Sequence, residues 1–175
     1  LLVIGHTPQP AQAQINSQRH KAALGRRDLF TLHASRIDPE LSWMAGLHLH
    51  YGHKPLLLVA PDGSVLRDVV GGQLFADIGG SIGYKQWVEA ALVVPVALYQ
   101  HGEGMADDSK PAVAGLGDIR LDLKLNLLGK DKSLFGLAIV PRFTFPTATD
   151  GYLGDESVTV TPRLVLDLKL PRALL

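Results

Sequence analysis

The sequence predicts an all-β protein, an antiparallel up-and-down transmembrane β-barrel of which about six long strands are visible. Three observations lead there. In "GLGDIRLDLKLNLLGK", Ile119, Leu121, Leu123, Leu125 and Leu127 alternate with Asp118, Arg120, Asp122, Lys124 and Asn126. Side chains alternate faces along a strand, so this segment has one oily and one charged face. The strand-like segments run to ten residues or more, against about five or six in a typical soluble strand. Short and long connections alternate along the chain, the rhythm of outer-membrane barrels with tight turns at one end and long loops at the other.

Composition sets the outer limits. The chain has 175 residues, 46% of them hydrophobic, with equal numbers of acidic and basic groups and no cysteine. That is enough apolar surface for one domain. The charge balance offers nothing to recruit nucleic acid. The missing cysteines exclude disulfides, thiolate catalysis and Cys-based metal sites. The longest apolar run, Ala90 to Leu98, contains Pro95 and is far short of the roughly 20 residues of a membrane helix, so a crossing of the bilayer has to use strands.

The first residues, "LLVIGHTPQPAQAQ", end in Ala11-Gln12-Ala13, small residues at the spacing of a secretory cleavage site. Residues 1–13 read as a signal-peptide remnant, 14–40 as a polar, basic N-terminal extension, and 41–175 as a barrel continuing beyond the sequence given. The expected strands are Leu41–Tyr51, Val69–Tyr84, Val88–Tyr99, Gly117–Leu128, Leu134–Phe145 and Val158–Leu170. Tight turns are expected at Lys85-Gln86 and Lys130-Asp131. Three long, solvated loops are expected around Asp62, Asp107 and Asp150, with Asp62-Gly63 able to form a small hairpin. Trp43, Tyr84 and Trp87 then fall near one end of the strands, and Tyr51, Tyr99, Phe143 and Phe145 near the other, as interfacial rings do.

A closed barrel satisfies its backbone between strands, so the leucines can meet lipid while the charges line the lumen. The lumen set is His48, His50, Asp77, Glu89, Asp118, Arg120, Asp122, Lys124, Arg142, Arg163, Asp167 and Lys169. Arg142 should lie near Asp118 or Asp122, depending on register. On this pattern Leu123→Arg should be costly and Lys124→Leu mild. The alternative fold is a secreted soluble β-sandwich or lipocalin-like binding protein with the leucines turned inward.

Several segments, among them "INSQRHKAALGRRDLFTL", "LSWMAGLHLHYGHKPLLL", "VVGGQLFADIGGSIGYKQWVEAALVVPVALYQ", "GLGDIRLDLKLNLL" and "TVTPRLVLDLKL", resemble the N-terminal β-barrel region of OmpA-family outer-membrane proteins of the myxobacterial type. The "GLGD" strand is also similar to outer-membrane transporter-like barrels. The resemblance implies a bacterial outer-membrane location and lipid as a partner. It implies peptidoglycan as a partner only through a further domain beyond Leu175, and it carries over no catalytic residues.

Chemistry is otherwise sparse. "HLHYGH" places His48 and His50 on one face with His53 following, but zinc sites need three or four ligands, so they read as lumen histidines. Asp150, Asp155 and Glu156 in "DGYLGDES" miss the calcium-loop spacing. Ser81 in "GGSIG" lacks a nucleophile-elbow frame. The expectation is therefore no enzyme, no cofactor and no metal. A structural, envelope-anchoring barrel leads, with a pore or transporter for small solutes as the alternative; a filled lumen distinguishes the first from the second.

Overall fold

The computed structural model describes residues 16–105, 110–129 and 133–169. The signal-remnant reading of residues 1–13, the turn at Lys130-Asp131 and the loop tip at Asp107 lie outside them. Among the described residues the chain is all-β, and its antiparallel strands form one curled, half-barrel sheet without helices. The strands are β1 (Ser42–Val59), β2 (Val65–Tyr84), β3 (Val88–His101), β4 (Gly115–Leu116), β5 (Ile119–Leu128), β6 (Phe135–Ile139), β7 (Arg142–Phe145), β8 (Thr159–Thr161) and β9 (Leu164–Leu168). The order across the sheet is β1-β2-β3-β5-β6-β9, with β4 on β3, and β7 joining β5 to β8.

Prolines explain why six expected strands become nine. Pro95 lies inside β3, opposite Asp77 of β2. On its other side β3 pairs with β5 only over Val88–Val93, and with β4 at Val96 and Ala97. The interruption falls where proline has no N–H to give. Pro141 likewise separates β6 from β7, and Pro162 separates β8 from β9. Each pair continues one strand direction, so the up-and-down order of the six segments is kept.

Two connections are shaped by local chemistry. The stretch around Asp62, expected as a long loop, is mostly strand: β1 and β2 continue to Val59 and Val65, and the chain reverses over Asp62-Gly63 with Gly63 at φ 86°. Only the hairpin part of the expectation holds there. At the opposite end Lys85 (φ 49°) and Gln86 (φ 63°) make the tight β2–β3 turn, both in the left-handed region usual for hairpins of this length. The Gln86 N–H donates to Asp38 O at 3.0 Å, which ties this turn to the N-terminal segment.

The sheet's two faces differ sharply. Along β1, Trp43, Leu47, Leu49 and Tyr51 are exposed on the convex face (58–74%). Ile78, Ile82, Leu92, Leu98, Leu125, Leu127, Leu164, Leu166 and Leu168 are also exposed. The alternate positions point into the concave face and are mostly buried, including Phe75, Asp77, Val93, Arg120, Asp122 and Lys124. This pattern runs opposite to the inward-leucine sandwich or lipocalin-like alternative.

What fills the concave face is the segment read as an extension. Residues 16–40 run along it with almost no regular structure beyond one bridge, Leu29 to Leu32. Ala22, Ala23, Leu24, Ser35 and Ile37 are buried. Ala22 and Leu24 pack with Val93 and Met44. Gly79 makes room for this: a Cβ there would lie 2.1 Å from Leu92 O and 2.9 Å from Leu24 Cδ1. The second long loop, 146–158, also turns inward. Leu153 is fully buried beside Phe75 and Ala97, and Tyr152 packs on Val69 and Val70. The expected solvated loop is instead a cap, because Tyr152 and Leu153 give it an apolar anchor.

Candidate functional site

The concave face carries a continuous polar network between the sheet and residues 16–40. Antiparallel register builds its centre. Asp122 of β5 pairs with Arg142 of β7, and Arg142 Nε and Nη2 donate to Asp122 Oδ1 and Oδ2 at 2.5 and 2.6 Å. This fork-to-fork contact is among the stronger ion-pair geometries. It resolves the Asp118-or-Asp122 alternative in favour of Asp122. Arg120, two residues back on the same face, lies 2.8 Å from Asp77 of β2.

The N-terminal segment completes these pairs. Gln18 Nε2 donates to Asp77 Oδ1 at 2.9 Å, and the Ala22 N–H to Asp77 Oδ2 at 3.3 Å. Ser17 and Gln73 are joined in both directions, by Ser17 Oγ to Gln73 Oε1 and by Gln73 Nε2 to Ser17 O, each 2.9 Å.

A second cluster lies toward the Lys85-Gln86 end. Lys124 Nζ donates to Asp28 Oδ1 at 2.5 Å and to Glu89 Oε1 at 2.7 Å. All three side chains are nearly inaccessible, at 1–3% exposure. Asp28 also accepts from the N–H groups of Gly25 and Ala34 and lies 2.8 Å from His33 Nδ1. Burial alone would raise the Asp28 carboxyl, but the His33 hydrogen bond and the Lys124 ammonium outweigh it and hold the group at about 2. Gly25 fits between the carboxylates, since a Cβ there would meet Glu89 Oε1 at 2.3 Å and Asp28 Oδ2 at 2.4 Å. His33 Nε2 reaches Arg163 Nη1 at 3.0 Å. Asp167 Oδ2 accepts from Ser35 N and Oγ at 2.9 and 2.7 Å.

Asp118 has a separate task. It accepts the N–H groups of Thr147, Ala148 and Asp155 and so pins the inward-folded cap. His48 and His50 form a third group with His20 of the N-terminal segment, which stacks on His48 at a centroid separation of 4.9 Å and lies tilted by 44° against His50 at 4.7 Å. Among the described residues, no group of three or more His, Asp or Glu side chains is placed to hold a metal ion.

Eleven of the twelve expected lumen residues thus lie on or at the edge of the concave network. Lys169 follows β9, which lies at an edge of the sheet among the described residues, and is exposed there. The residues that sequence reasoning missed are the partners on the N-terminal segment: Ser17, Gln18, His20, Asp28, His33 and Ser35. Their signal was "AALG", a small apolar run inside a basic stretch, followed by Asp28, the first acid of the segment. Compared with known proteins, the chain matches no family model, no curated protein and no solved structure.

Proposed function

We propose that the chain forms a bacterial outer-membrane β-barrel region with a structural, envelope-anchoring role, its lumen filled by its own N-terminal segment. The observation carrying this is the inverted polarity of the sheet. Large apolar side chains cover the exposed convex face, and charged side chains occupy the buried concave face. In water such a surface is an aggregation liability, because soluble monomers rarely expose contiguous apolar patches beyond a few hundred Å². Against hydrocarbon it is the stable arrangement. Trp43 and Tyr51, both exposed on β1, stand about 26 Å apart along the strand at about 3.3 Å per residue. At the tilt of barrel strands, about 35–45°, that spacing covers about 20 Å of height, which sets the two rings toward opposite interfaces of an apolar band about 25 Å tall.

A structural role is favoured over a permanently open pore by the packing of the concave face. Asp77, Arg120, Asp122 and Arg142 are all 2% exposed or less and engaged with one another or with the N-terminal segment. Lipid is the direct partner. Peptidoglycan is a partner through a domain of the kind the family resemblance implies.

The test combines fractionation with topology. The protein should partition with the outer membrane and migrate anomalously before boiling. Its cysteine-free sequence permits clean labelling on intact cells. Ser157→Cys, on the exposed long-loop end, should react with an impermeant thiol reagent, and Lys85→Cys, on the tight-turn end, should not. Recovery in the soluble fraction without detergent would overturn the membrane reading, and the reverse labelling pattern would invert the topology.

A further inference from the structure

We infer that the imidazole stack of His20, on the N-terminal segment, with His48 and His50 of β1 is an acid-sensitive latch: neutral rings seat the first half of the segment, and protonated rings expel it. The latch rests on the packing of the concave face and not on the membrane location, so the two stand or fall separately.

The geometry suits neutral rings alone. His20 lies nearly parallel to His48, with centroids 4.9 Å apart and planes 14° apart, and packs on His50 at 4.7 Å. His50 in turn stacks on Phe75 at 5.4 Å, and Phe30 meets His48 edge-on at 6.2 Å. Two imidazolium charges at such separations repel strongly where water is scarce. His20 Nε2 and His48 Nδ1 are buried without a hydrogen-bond partner. A proton added at either nitrogen creates a buried donor with nothing to receive it, so protonation favours movement toward water.

The surrounding charges do not relieve this. The groups facing the stack are His48 and His50 from β1, Asp77 from β2 and Arg120 from β5. Arg120 is a further cation. Asp77 is the one carboxylate among them, and it already receives Arg120 at 2.8 Å, Gln18 at 2.9 Å and the Ala22 N–H at 3.3 Å. Its contact with the stack is His50 Nε2 at 3.8 Å. Burial first, and His48 second, push the His20 imidazole below its usual value, so the ring is neutral at neutral pH and takes a proton only in acid.

The second half of the segment behaves differently. Asp28 is held at about 2 by His33 and Lys124, so its pairing persists through mild acid. Residues 25–40 then remain a tether while residues 16–24 leave the concave face. Release uncovers Asp77, Arg120 and Gln73, a polar path for water and small solutes.

The experiment is a nitroxide label on Arg19→Cys in the detergent-solubilised protein. Arg19 is exposed and lies one residue from His20. Between about pH 7.5 and about pH 4, a window carried below the usual histidine range because burial lowers the His20 imidazole, the mobile spectral component should rise several-fold. It should stay flat in His20→Gln and rise less in His48→Phe, which keeps an aromatic ring against His20 but removes one of the two unpartnered ring nitrogens. Hydrogen exchange over residues 16–24 of the unlabelled chain, corrected for intrinsic pH dependence, should give the same result and guards against a perturbing label. Equal mobility and exchange at both pH values would overturn the latch. So would an acid response that survives in His20→Gln.

Discussion

Lys124→Leu is expected to destabilise the protein by about 3–5 kcal/mol, the cost of removing one partner from a buried ion cluster. Lys124 is the ammonium between Asp28 and Glu89, and all three side chains are nearly sealed from solvent. Leucine fits the space but leaves two carboxylates facing each other without a cation. The alternating pattern alone expected a mild effect, because it showed Lys124 in a polar lumen but not the two acids closing on it. The same cluster sets an acid limit. Asp28 is lowered to about 2, so its contribution of about 2 kcal/mol is present above about pH 4 and is lost as pH falls toward 2. Equilibrium unfolding in detergent or bilayers reads both effects. A change below about 0.5 kcal/mol on Lys124→Leu, the range of ordinary surface substitutions, would show that the cluster does not hold the segment.

Leu123→Arg tests the other face. Leu123 lies midway along β5 (Ile119–Leu128) among the convex-face apolar side chains. Near a bilayer midplane an arginine facing lipid costs about 2–4 kcal/mol, falling toward zero at the interfaces. On a convex face bathed in water the same change is nearly neutral. The penalty should grow in thicker bilayers, where the guanidinium has farther to snorkel. A penalty indifferent to lipid thickness would contradict a lipid-facing Leu123.

Strand positions and faces were legible because a period of two is a local property. Ile119 to Leu127 announced its register with every residue, and Arg142 came to Asp122 once that register met its partner strand. The breaks at Pro141 and Pro162 were visible as residues but not as interruptions, since their effect depends on which neighbour needs the missing N–H. The N-terminal segment was legible only as polar and basic. Its role rests on contacts across long sequence separations, such as Ser35 with Asp167 and Lys124 with Asp28, which no periodicity encodes. The cap at 146–158 was hidden for a related reason: Tyr152 and Leu153 are two apolar residues in a loop-like composition, and only the space above Val69 and Val70 for the first and Phe75 for the second gives them a place to go. Lys169 keeps its alternation with Asp167 and is exposed where β9 lies at an edge of the described sheet.

The central claim is that the apolar convex face meets hydrocarbon while the charged concave face meets the chain's own N-terminal segment. It is tested most directly by placing nitroxide labels singly at consecutive positions from Trp43 to Tyr51 in bilayers. Collision with oxygen, which concentrates in hydrocarbon, is then compared with collision with a water-soluble nickel chelate. Labels at 43, 45, 47, 49 and 51 should be accessible to oxygen and shielded from nickel, with the strongest contrast near 47. Labels at 44, 46, 48 and 50 should be shielded from both. Strong nickel accessibility at 45, 47 and 49 would place that face in water and contradict the claim.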